Sequence, residues 1–166
     1  MIRNVFSQED LSYLLNHETT IQAKNSGNVV AYFTVPATDS IVSALKEQFH
    51  APINEPFDVP LRWIMGDTPL ASPNVEPPSG DGEKTILVYL TDSVGCVTIG
   101  EEAHPISANT GFEFLKGTAH YTTCTKGSRL LLGPMNDRGE PIPYWHRLLP
   151  ELCRCPETNL QQYCVQ

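Results

Sequence analysis

The sequence predicts a mainly β fold of the sandwich or jelly-roll type. Between Lys84 and Pro134 five short runs rich in β-branched and aromatic residues follow one another: "KTILVYLTD", "GCVTIG", "GFEFL", "AHYTTCT" and "SRLLLGP". Gly, Asp, Asn or Lys-Gly turn signals separate them. Fourteen prolines and eleven glycines favour many turns over long helices. Short strands at this spacing make a meander or Greek key, which closes on itself as two packed layers.

Taken in chain order, "SQEDLSYLLNH" from Ser7 starts with an N-cap and acidic first-turn residues and then sets Leu11, Leu14 and Leu15 on one helical face. "NVVAYFTV", Asn28 to Val35, reads as a strand that stops at Pro36. "DSIVSALKEQFH" offers Asp39 as a cap and Ile41, Ala44, Leu45 and Phe49 at helical spacing. From Ala51 to Gly82 prolines recur around one apolar island, "LRWIMG", which predicts an extended strand and then a long loop. After the five β-runs the chain turns polar, with "YWHRLLPELC" as a short closing helix.

The 166 residues suit one domain, 1–166, divided into an N-terminal support (1–50), a β core (61–134) and a C-terminal extension (135–166). A net charge of −8 and a pI near 5.0 oppose binding to nucleic acid, since the eleven Lys and Arg residues form no stripe. The N-terminus lacks the apolar run of a signal peptide, and no later segment approaches the roughly 20 apolar residues of a membrane span. The expectation is a soluble intracellular protein, cytoplasmic or nuclear, with no membrane partner. Five cysteines fit a reducing compartment as free thiols. Cys153, Cys155 and Cys164 have no fourth ligand beside them to complete a zinc set.

Chemistry concentrates in "FEFLKGTAHYTTCTKGSRLLLGP", where His120 and Arg129 stand nine positions apart. Alternation puts His120, Thr122 and Cys124 on one face of a strand. A hairpin around Thr125 to Ser128 would bring Arg129 to the same face. Imidazole is a common metal ligand, and guanidinium grips a carboxylate at two points. His104, in "GEEAHPIS", reads as part of a solvated turn beside Glu101 and Glu102, and His146 as a packing residue. No Gly-x-Ser-x-Gly motif or phosphate-cradling glycine loop is present.

From Leu61 to Pro134 the order of features resembles the double-stranded β-helix of the iron(II)- and 2-oxoglutarate-dependent oxygenases, prolyl-4-hydroxylase branch. The segments that carry it are "RWIMGDTPLASPNVE", "SGDGEKTILVYLTD", "VGCVTIG" and "ISANTGFEFLKGTAHYTTCTKGSR". "NVFSQEDLSYLLN" is similar to the family's leading helix, and Gly111 to its turn glycine. The resemblance implies that His120 is the distal iron ligand, that Arg129 pairs with the far carboxylate of 2-oxoglutarate, and that Tyr89 touches the same cosubstrate. A core tyrosine is the other reading of Tyr89.

The sequence departs from the family at the metal. Where the family has His-x-Asp, "PNVEP" places Asn74 and Glu76. An amide is a much poorer ligand for iron(II) than an imidazole, and only His104 or His50 could replace it from elsewhere. The implied function is therefore that of a catalytically impaired relative, a binding or structural module that keeps a carboxylate pocket or a protein partner. The alternative is an active dioxygenase that hydroxylates a peptide or small molecule with an altered triad. Cupins and viral jelly-roll proteins share the pattern more loosely.

Overall fold

The computed structural model describes residues 1–65, 68–70 and 84–142. The predicted closing helix, His146, the three C-terminal cysteines, Asn74 and Glu76 lie outside them.

In chain order the elements are β1 (Ile2–Arg3), α1 (Gln8–Asn16), α2 (Glu18–Lys24), β2 (Val30–Pro36), α3 (Asp39–Phe49), β3 (Asp58–Ile64) and β4 (Thr68–Leu70). Then follow β5 (Lys84–Tyr89), β6 (Val94–Ile99), β7 (Glu102–Pro105), β8 (Thr110–Leu115), β9 (His120–Lys126) and β10 (Arg129–Asn136). They form a six-stranded sheet, β1-β8-β5-β10-β3-β2, and a four-stranded sheet, β4-β9-β6-β7. Every pairing is antiparallel. From β3 onward the chain passes back and forth between the sheets, so β3, β5, β8 and β10 face β4, β6, β7 and β9. That strand order is a double-stranded β-helix, the jelly-roll fold of the cupin type.

Two apolar cores follow from the two faces of the larger sheet. On its outer face Val35, Val59, Leu61, Val88, Leu130 and Leu132 meet the helices through Leu14, Ile41, Leu45 and Phe49. On its inner face Ile64, Leu87, Tyr89, Phe112 and Leu131 meet Val97 and Ile106 of the smaller sheet's side. The alternation of side chains along each strand generates both cores from one sheet. Strands such as β5 and β10, buried on both sides, therefore read as unbroken apolar runs.

The helices are set by local signals. Ser7 Oγ accepts from the Asp10 amide at 3.1 Å and starts α1. In α3 the cap is Thr38, whose hydroxyl accepts from the Ile41 amide at 3.2 Å; the predicted cap, Asp39, is in the first turn beside the helix dipole. α2 was not foreseen: "ETTIQAK" has two threonines and weak periodicity, and its cap is His17 Nδ1, which accepts from Thr19 N at 3.2 Å. The predicted strand "LRWIMG" begins earlier, at Asp58, and includes Pro60. β10 pairs with β3 only from Leu61 onward, so Pro60 interrupts no bond on that side.

Three further expectations are corrected. β9 and β10 are not a hairpin, because they belong to different sheets and the connection between them crosses from one wall to the other. Gly111 is not a turn glycine. It lies inside β8, where a Cβ would stand 2.7 Å from the Phe49 ring and 2.9 Å from Val5, so its missing side chain lets α3 and the N-terminal segment close on the sheet. His104 is on the edge strand β7 rather than in a solvated turn; half-buried, its ring lies 5.2 Å from that of Phe112.

Candidate functional site

The space between the two sheets is where the chemistry-bearing side chains collect. β10 opposes β3 with Leu131 against Arg62 and Arg129 against Ile64, so both arginines share the inner face with Leu131 and Ile64. β5 adds Tyr89, opposite Leu131. From the smaller sheet β9 aligns His120 with Ile99 and Thr122 with Val97, on the face that Val97 gives to the inner core. The crossing between β9 and β10 thus sets His120 and Arg129 on opposing walls of one chamber. Arg129 Nη2 donates to Thr122 Oγ1 across it, at 3.4 Å.

Arg62 and Arg129 are 5% and 2% exposed, and His120 is 5% exposed. Two guanidiniums and an imidazole inside an apolar shell are unusual, because charged side chains are seldom fully buried. Arg62 Nε donates to the Gly133 carbonyl at 2.8 Å. Gly133 makes that contact through a bulge in β10, between Leu132 and Met135, with φ at +84°. A Cβ there would come within 2.6 Å of the Ile86 carbonyl, so glycine is required.

His120 is held neutral. Burial pushes its pKa down from 6.5 to about 4; the Thr118 carbonyl works against this and the positive charge of Arg62 adds to it. That carbonyl, an acceptor 3.4 Å from Nδ1, favours the tautomer with its proton on Nδ1 and a lone pair on Nε2. Nε2 is buried and has no hydrogen-bond partner among the described residues. The ring itself stacks at a tilt on Phe114, 5.0 Å between centroids.

Tyr89 is fully buried and meets Phe112 edge to face at 6.3 Å, so it belongs to the inner core and borders the chamber. His50 is remote from it: exposed, at the C-cap of α3 with φ +50°, it belongs to the helical layer. His104 has Glu102 at 3.6 Å and lies on the chamber's rim strand. Arg62 was missed in the sequence because "LRWIMG" reads as an apolar island. The available signal was the same run read differently: a lone arginine in an otherwise apolar strand is a buried charge.

Among the described residues no three His, Cys, Asp or Glu side chains come together to hold a metal ion. His120 is the one predicted ligand that lies between the sheets among the described residues; Asn74 and Glu76 are outside them. No helix is long and apolar enough to cross a membrane.

No family model and no curated protein sequence matches the chain. Similar solved structures include a cupin superfamily protein from Desulfitobacterium hafniense, 12% identical over 80% of this chain and 94% of that one, with a TM-score of 0.41. KdgF from Halomonas sp. is 12% identical over 66% of this chain and 82% of its own, at 0.37. A salicylate 1,2-dioxygenase from Pseudoaminobacter salicylatoxidans, an adduct with gentisate, is 8% identical over 76% of this chain and 32% of its own, at 0.38. The strand order, rather than these distant likenesses, defines the class: a double-stranded β-helix with two arginines and a histidine buried between its sheets.

Proposed function

We propose that the chain is a binding module that takes a small carboxylate inside the β-helix, without oxygenase chemistry. The observation that carries this reading is the burial of Arg129 and Arg62 on one wall of a chamber whose opposite wall is a neutral imidazole. A guanidinium matches a carboxylate with two parallel hydrogen bonds, and in a low-dielectric space that pairing is stronger than at a surface. Arg129 is also the residue that the resemblance to 2-oxoglutarate oxygenases assigns to a carboxylate. The donor set described above favours an anion over a metal cation.

The second reading, an active dioxygenase with an altered triad, draws support from the Nε2 lone pair of His120. In it His120 would hold iron(II) together with Asn74 and Glu76. Calorimetry separates the two. 2-Oxoglutarate is titrated anaerobically into the full chain, once with EDTA and once with manganese(II), for the wild type, Arg129→Gln and His120→Ala. Binding in EDTA that Arg129→Gln abolishes supports the binding module. Binding that needs manganese and disappears in His120→Ala supports the dioxygenase. No heat under either condition sinks both.

A further inference from the structure

We propose that a groove on the inner face of β2 is the docking site of this chain's own C-terminal segment, residues 143–149. The inference does not depend on the carboxylate reading above, because neither Arg129 nor His120 takes part in it.

The groove arises because the two sheets differ in width. β2 is the outermost strand of the six-stranded sheet, beside β3. The smaller sheet faces β3, β5, β8 and β10, which leaves the same face of β2 without a strand above it among the described residues. Alternation sends Phe33 and Val35 to the outer core and Tyr32 and Thr34 to this face. There Tyr32 is 61% exposed, on a strand with no charged residue. A cavity of about 250 Å³ lies beside it, lined by Tyr32, Thr34, Pro60, Arg62, Pro134 and Ile142.

The course of the chain says what covers it. On one side of β10, pairing with β3 stops where Leu132 opposes Leu61; on the other, β5 continues with Ile86 against Met135. Past that point the chain folds back along the side that β3 has left. The Asn136 amide donates to the Glu140 carbonyl at 2.9 Å, Met135 bridges Pro141, and the Ile142 amide donates to the Pro134 carbonyl at 3.0 Å. Gly139, at φ +86°, closes this turn against the Phe57 ring, where a Cβ would have no space. Ile142, the last described residue, is thereby delivered into the wall of the cavity. Tyr144 and Trp145 follow two and three positions on, within about 7–10 Å of extended chain, so they reach the groove without a linker.

The segment's chemistry matches that wall. "PYWHRLL" brings two aromatic rings, two leucines and no acidic residue. Aromatic rings pack well on the rings of Pro60 and Pro134 and on a guanidinium face such as that of Arg62. Tyr and Trp also keep a polar edge for water, which suits a groove open on one side. Docked there, the segment is a strap over the part of the inner face that the smaller sheet does not reach.

The test uses the full chain carrying Trp63→Phe, which leaves Trp145 as its single tryptophan. Acrylamide quenching of its fluorescence should be roughly three-fold weaker than in the same chain unfolded in urea. Tyr32→Ser and Thr34→Lys, at exposed positions of the groove, should each restore most of the quenching, whereas Leu115→Ser, exposed on β8, should not. Circular dichroism checks that each variant is folded, and sedimentation velocity should show a monomer at every concentration. Trp145 quenched as fully in the native chain as in urea, or shielded equally in all the variants, would overturn the proposal. Shielding that grows with protein concentration and accompanies dimers would assign the groove to the segment of a second copy and overturn docking within one chain.

Discussion

Gly133 and His120 show how single residues decide the chamber. Gly133→Ala forces a Cβ against the Ile86 carbonyl at a positive φ and displaces the carbonyl that anchors Arg62. A loss of about 2–4 kcal/mol in urea unfolding is expected, with weaker carboxylate binding. For His120 the sign follows from its depressed pKa. The unfolded chain takes up a proton near pH 6.5, the folded one near 4, so between these values the unfolded state binds more protons. The stabilising contribution of the neutral ring is complete above about pH 6.5 and fades as pH falls toward 4, by on the order of 2–3 kcal/mol. Urea melts of wild type and His120→Gln at pH 7 and pH 4.5 check this: the variant should lose less stability over the interval, and equal losses would show that His120 is not the group responsible.

At the scale of elements, α3 is joined to the sheet at Gly111. Gly111→Ala should cost about 1–3 kcal/mol by driving a methyl into Phe49 and Val5. Phe49→Leu in the same chain should show coupling with it, read from a double-mutant cycle; strictly additive losses would argue against that contact. The strands were legible in the sequence because β-branched and aromatic runs between turn residues need only local physics to be recognised. β4 and β7 were not, being three and four residues long and held by pairing with longer neighbours. His120 and Arg129 were legible as a pair, yet for a different geometry from the one found. Which of two sheets a strand joins depends on long-range packing, and alternation within one strand is blind to it. Arg62 stayed hidden for the same reason, since its partners on the chamber wall come from β10, some seventy residues away.

For the whole molecule, ligand occupancy should read out as stability. A carboxylate that binds only the folded chain, at a concentration one hundred times its Kd, adds about 2.7 kcal/mol. In a domain of this length that raises Tm by about 5–10 °C. Thermal scans with and without 2-oxoglutarate, on wild type and Arg129→Gln, test it: a shift of equal size in both proteins would place the binding away from Arg129. The chain as a whole carries −8, so under the proposed reading an anion would approach against the overall field.

The two cores on either side of the larger sheet separate endurance from chemistry. The outer core ties helices to strands through apolar side chains, whereas two guanidiniums and an imidazole are buried along the boundary of the inner one. A lineage built this way is free to exchange the groups that face the chamber, a ligand pair here or a basic residue there, while the architecture persists. Loss of one chemistry then leaves behind a folded vessel ready for another.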